Sequence, residues 1–76
     1  MENIREQIGR QMSLARKRRG ITRTAIAEQL GVSDVAVYYW ETGRNPIDVD
    51  RLKAYCDILN IDWIEMLKYA TKKDEQ

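Results

Sequence analysis

The sequence predicts an all-α fold, a compact domain of five short helices, and three observations carry that expectation. Residues with a cap-forming side-chain oxygen (Asn3, Thr22, Ser33, Asp48 and Asp62) stand before each apolar segment. Residues that tolerate left-handed geometry (Gly20, Gly31, Gly43 and Asn60) follow the first four. Between these marks apolar side chains return at three- and four-residue intervals, and no stretch alternates as a half-buried strand does.

The first helix begins after Asn3, which forms a capping-box-like pair with Glu6. Ile4, Ile8, Met12 and Ala15 make its apolar stripe, with Leu14 off it. Gly20 stops the helix after Lys17-Arg18-Arg19, and Ile21 anchors the turn in the core. Thr22 caps the second helix, Arg23 to Leu30, where Ala27 is small enough for a crossing helix to approach. Gly31 ends it, Ser33 caps a third helix from Asp34 to Glu41, and Gly43 ends that one. In the loop that follows, Pro46 disfavours helical geometry at Asn45. Asp48 caps the fourth helix, whose Val49, Leu52, Tyr55, Cys56 and Leu59 share a face, and Asn60 stops it. Asp62 caps the fifth, Glu65 completes a second capping box, and Trp63, Ile64, Met66 and Leu67 take its apolar positions. Residues 1–70 are expected to form the domain and residues 71–76 a polar, disordered tail.

A chain of 76 residues supports one small core, which a partner subunit would help to cover. The formal net charge of +1 hides an asymmetry: residues 1–46 carry +3 and residues 47–76 carry −2. From Arg16 to Arg23 there are five basic residues and no acid, a run that favours phosphate. No apolar run approaches the ~20 residues of a membrane span, and no leader segment is expected from the opening residues. The single cysteine, Cys56, forms no internal disulfide, which suits a reducing cytoplasm. Without histidine, a second cysteine or a glycine-rich phosphate loop, the chain is expected to be no enzyme and to take no cofactor, metal or small-molecule ligand.

Ala27, Gly31 and Val37 fall at helix-turn-helix spacing, the motif of proteins that place one helix in the DNA major groove. The wider pattern adds Arg16, Gly20-Ile21-Thr22, Ile26, Leu30, Val32-Ser33, Trp40-Glu41, Gly43, Asn45-Pro46, Leu52, Leu59 and Asp62-Trp63-Ile64. With these residues the chain from about Ile8 to Leu67 resembles the Cro/CI-type repressors, the XRE family. The resemblance implies a lambda-repressor-like fold, sequence-specific binding to double-stranded DNA and a homodimer, formed in solution or only on DNA. At this length the chain looks most like a short phage Cro-type repressor, encoded by a phage or its bacterial host, and restriction–modification controllers are similarly short. The resemblance also pairs Arg16 with Glu41, tying the first helix to the end of the third. Two positions depart from the family: Arg23 stands where Gln is usual, and Cys56 where Ala is.

In such a fold Val37 and Trp40 point inward, leaving Asp34, Val35, Tyr38 and Tyr39 as base-reading candidates. Ionised Asp34 only accepts hydrogen bonds, which suits cytosine N4, while Val35 can only pack, as on a thymine methyl. Tyr39 can donate to a base or phosphate or cover a methyl, and Tyr38, nearer the flank, suits phosphate or sugar. Phosphate contacts are expected from Arg23, Thr24, Ser33, Thr42, Arg44 and Asn45, with Arg10 and Arg19 as further candidates. Ile47, Trp63, Met66 and Tyr69 are candidates for a twofold dimer interface. The expected function is a transcriptional regulator acting as a repressor on a palindromic operator. A restriction–modification controller or antitoxin-type autoregulator is the alternative within DNA binding. A protein-interaction module is the alternative outside it, favoured by the low net charge and outward Asp34, and opposed by Arg23, Arg44 and the basic end of the first helix.

Overall fold

The computed structural model describes residues 2–71. Five helices follow in order: α1 (Ile4–Arg18), α2 (Arg23–Leu30), α3 (Asp34–Thr42), α4 (Val49–Ile58) and α5 (Trp63–Thr71). Thr71 thus closes α5, and the rest of the tail expected over 71–76 lies outside the described residues.

The caps determine where the helices start. The Glu6 N–H donates to Asn3 Oδ1 at 2.9 Å while the Asn3 N–H donates to Glu6 Oε1 at 3.0 Å, a complete capping box. Thr22, Ser33 and Asp48 each accept from the backbone N–H three residues on, at 3.1, 3.0 and 2.7 Å. The Arg51 N–H bond at this cap also holds the Asp48 carboxyl below its usual range. At α5 the expected second capping box gives way to a local turn. Asp62 Oδ1 accepts from the Ile64 N–H at 3.0 Å, two residues on, and Glu65 instead faces Lys68 at 3.9 Å. Gly31, at φ +70, ends α2, and the Val32 N–H then returns to the Ala27 carbonyl at 3.0 Å. Asn60, at φ +59, follows α4 in the same left-handed region.

In the packed domain α1 lies against α3 and α5, α2 against α3 and α4, and α4 against α5. Met12, Ile26, Val37, Tyr55 and Cys56 are fully buried at the centre, with Leu52, Leu59 and Met66 nearly so. Ile8, Ile21, Trp40, Trp63 and Leu67 close the core as partly buried neighbours. Three residues expected on apolar stripes are instead exposed: Ile4, Val49 and Ile64. Each lies in the first turn of its helix. Leu14, off the stripe, is exposed as well.

At Gly9 the backbones of α1 and α3 approach closely. A Cβ there would overlap the Trp40 carbonyl oxygen and stand 2.5 Å from that of Glu41. Gly9 therefore lets the middle of α1 sit directly on the C-terminal turn of α3.

Candidate nucleic-acid interface

The attachment of α3 is anchored by a buried polar cluster. Arg16, 8% exposed, donates from Nε to Glu41 Oε2 at 2.7 Å and from Nη2 to Oε1 at 3.0 Å, while Glu41 is 7% exposed. Nη1 of Arg16 reaches the Ile21 carbonyl at 2.9 Å. The hydroxyl of Tyr55 stands 2.6 Å from Glu41 Oε2 and 3.1 Å from the Met12 carbonyl oxygen. Among the described residues no buried side-chain nitrogen or oxygen lacks a partner, so this cluster is closed. Its bonds to Glu41 hold the Arg16 guanidinium above its ordinary range. Burial, reinforced by the bond to Glu41, drives the Tyr55 hydroxyl well above the usual tyrosine range, so it remains a donor. The cluster joins α1, the end of α3 and α4 through groups that satisfy one another.

With its inner side fixed through Val37, Trp40 and Glu41, α3 turns the other side outward. Asp34 is exposed, Val35 is 55% and Tyr38 46% exposed, and Tyr39 is half-buried. The two tyrosine rings are neighbours, with centroids 5.9 Å apart and planes tilted by 49°. Each carries an arginine from a flanking element. The Arg23 guanidinium, at the start of α2, lies 4.9 Å from the Tyr38 ring centroid, and that of Arg44, after α3, lies 5.0 Å from the Tyr39 ring. Arg23 thus braces α3 by stacking, where an amide would have used hydrogen bonds. These pairs join residues far apart in sequence, and no local pattern announces them.

The remaining polar candidates take up definite places around this face. Thr24 Oγ1 donates to Asp34 Oδ2 at a long 3.5 Å, linking the first turns of α2 and α3. Ser33 Oγ caps α3. The Thr42 hydroxyl is directed at the Tyr38 and Tyr39 carbonyls, at 3.0 and 3.3 Å, leaving its lone pairs outward. The Asn45 N–H donates to the Tyr39 carbonyl at 3.2 Å, which folds the loop back against α3 and leaves the Asn45 amide exposed. Arg23, Thr24, Ser33, Arg44 and Asn45 therefore border the outward side of α3, with Asp34, Val35, Tyr38 and Tyr39 on it. Arg10 lies on α1 in an ion pair with Glu2, and Arg19 is exposed at the C-cap of α1.

The dimer candidates separate into different environments. Met66 is corrected to a core residue: it is 6% exposed, as is Ala70 one turn later, because this side of α5 faces inward. Ile47 and Trp63 are half-buried against the core, while Tyr69 is 72% exposed. Burial pushes the Cys56 thiol up to about 11, with Asp57 and Asp62 adding to the shift, so it is an inert packing group. Among the described residues no helix is long and apolar enough to cross a membrane.

Comparison with known proteins agrees with this geometry. The family model HTH_3, described as helix-turn-helix, matches residues 12–66, which includes the α2–turn–α3 unit and both partners of the Arg16–Glu41 pair. Among curated proteins none matches significantly. Among solved structures, that of the clp gene regulator ClgR from C. glutamicum is similar, with a TM-score of 0.86 and 26% identity over 92% of this chain and 91% of that one. The chain belongs to the helix-turn-helix family of the XRE type, a family of DNA-binding transcription regulators.

Proposed function

We propose that the protein is a sequence-specific repressor that binds a palindromic operator as a homodimer, each copy laying α3 in a major groove. The observation that carries this reading is the outward side of α3, where Val35 and Tyr38 are exposed between Arg23 and Arg44. An exposed aromatic and aliphatic helix face bordered by guanidinium groups matches a groove floor of base edges flanked by phosphates. In this reading Asp34, Val35, Tyr38 and Tyr39 meet base edges. Arg23, Thr24, Ser33, Thr42, Arg44 and Asn45 meet the backbone, helped by the free N–H groups at the starts of α2 and α3. One copy inserts one short helix, and a second on the adjacent turn supplies the remaining affinity. Tyr69, exposed on α5, and the half-buried Ile47 and Trp63 are the proposed dimer contacts. Repression follows if the dimer occupies its operator in place of polymerase, as in the short Cro-type phage repressors the sequence resembles.

Selection of binding sites from a random duplex pool at physiological salt tests the proposal. The expected product is a twofold-symmetric consensus with half-sites about ten base pairs apart. Recovery of no consensus, with only weak salt-sensitive binding, would overturn it in favour of a protein-interaction module.

A further inference from the structure

The outward side of α3 is unusual in what it lacks. The helix, DVAVYYWET, contains no Arg, Lys, Asn or Gln, the residues that make bidentate hydrogen bonds to purines. Asp34 can only accept when ionised. The Thr42 hydroxyl proton is directed at the carbonyls of its own helix. What remains is the isopropyl group of Val35 and the adjoining rings of Tyr38 and Tyr39, apolar over their faces with one hydroxyl each at the tip. Arg23 and Arg44 hold those rings from either side at 4.9 and 5.0 Å, so their placement precedes any contact with DNA. The same guanidinium groups supply charge for the phosphates bordering the groove, which seats the face over base edges rather than over the backbone.

An apolar surface in a major groove has one natural counterpart, the methyl group on C5 of a pyrimidine. Thymine carries it in unmodified DNA, and 5-methylcytosine presents the same group at the same ring position. We propose that α3 selects its site through pyrimidine C5-methyl groups, with Val35 and the rings of Tyr38 and Tyr39 forming the methyl-contacting surface. This inference rests on the reading of α3 as the recognition helix. It assigns sequence choice to packing, with Asp34 restricting which neighbouring base edges are accepted.

The test uses the full chain and the duplex it selects from the random pool. That duplex is resynthesised with deoxyuridine replacing each thymine in turn, which removes one methyl and leaves base pairing intact. The expected result is a loss of about fourfold in affinity at one or more positions in each half-site, the value of one buried methyl-sized group. Exchanging each sensitive thymine for cytosine and, separately, for 5-methylcytosine, both paired with guanine, separates the two sources. A gain over cytosine shows that any C5-methyl is read, and a loss with deoxyuridine alone assigns the contact to thymine. The Val35→Ala variant, altered at an exposed position, should lose the distinction between thymine and uracil at one position per half-site. Retained affinity for the selected duplex with every thymine replaced, and no response to cytosine methylation, would overturn methyl reading while leaving α3 as the recognition helix. Failure to select any preferred duplex would overturn both.

Discussion

Replacing Glu41 by Ala should destabilise the domain far more than loss of a surface ion pair would. Glu41 is 7% exposed and accepts two bonds from Arg16, itself 8% exposed, so its removal leaves a buried guanidinium without its counter-charge. The other members of the cluster fare better. Nη1 of Arg16 keeps the Ile21 carbonyl at 2.9 Å, and the Tyr55 hydroxyl keeps the Met12 carbonyl at 3.1 Å. Breaking a buried pair from one side typically costs about 3–5 kcal/mol, and the retained bonds favour the lower end, about 3 kcal/mol. A 76-residue domain at 0.05–0.15 kcal/mol per residue has about 4–11 kcal/mol in total, so the loss is a large share. At this size it corresponds to a fall in Tm of at least about 12 °C. Urea unfolding at pH 7, followed by circular dichroism, measures the loss. The double variant Arg16→Met with Glu41→Leu should regain most of it, because no unpaired charge then remains. A Glu41→Ala loss below about 1 kcal/mol, the range of exposed pairs, would refute the view that this cluster holds α3 in place.

Four further outcomes are expected. Gly9→Ala should destabilise by about 1–3 kcal/mol despite alanine's better helix propensity, because the new methyl meets α3 backbone, and a stabilised variant in thermal unfolding would contradict that. Stability should decline as pH rises from about 9 to about 11, since the folded state raises the Cys56 thiol from 9.0 to about 11 and the unfolded chain releases its proton first. That slope should flatten in a Cys56→Ala variant, as urea titrations across this window would show. Arg44→Ala should weaken binding to all duplexes and lower the slope of log affinity against log salt by about one, read by fluorescence anisotropy. Val35→Ala should alter base preference, with ~1–3 kcal/mol at stake per position, and an unchanged preference in a repeated selection would remove Val35 from the base-reading set.

The features legible in the sequence are those set by short-range chemistry. Asn3 with Glu6, Thr22, Ser33 and Asp48 announce helix starts because a cap needs only a side-chain oxygen and an N–H a few residues away. Gly31 and Asn60 announce stops for a similarly local reason, the left-handed backbone they adopt. Asp62 shows the limit of such reasoning: its carboxylate takes the N–H two residues on, so the Glu65 partner is not used. Periodicity identifies residues that recur at helical spacing without telling which of them a neighbouring element covers, and Ile4, Val49 and Ile64 lie outside. Met66, read both as an apolar position of α5 and as a dimer candidate, lies in the core.

The candidate site divides in the same way. Helix-turn-helix spacing gave the outward residues of α3 before any coordinates, since Val37 and Trp40 define the inner side. Gly9 carries no sign that α3 rests on it, because what matters is a backbone over thirty residues away. The stacks of Arg23 on Tyr38 and Arg44 on Tyr39 were equally hidden. A guanidinium near a ring depends on how α2 and the loop before α4 converge on α3, and that convergence is a product of the whole core.

If the outward side of α3 and its two arginine borders form the DNA-binding surface, amide chemical shifts mapped during titration with the selected duplex will locate it there. The expected result is that the largest shifts fall on residues 23–25, 33–39 and 42–45, with small changes along the exposed side of α1. Large shifts concentrated on α1 and α5, with 33–39 unchanged, would show that DNA binds elsewhere and would contradict the account.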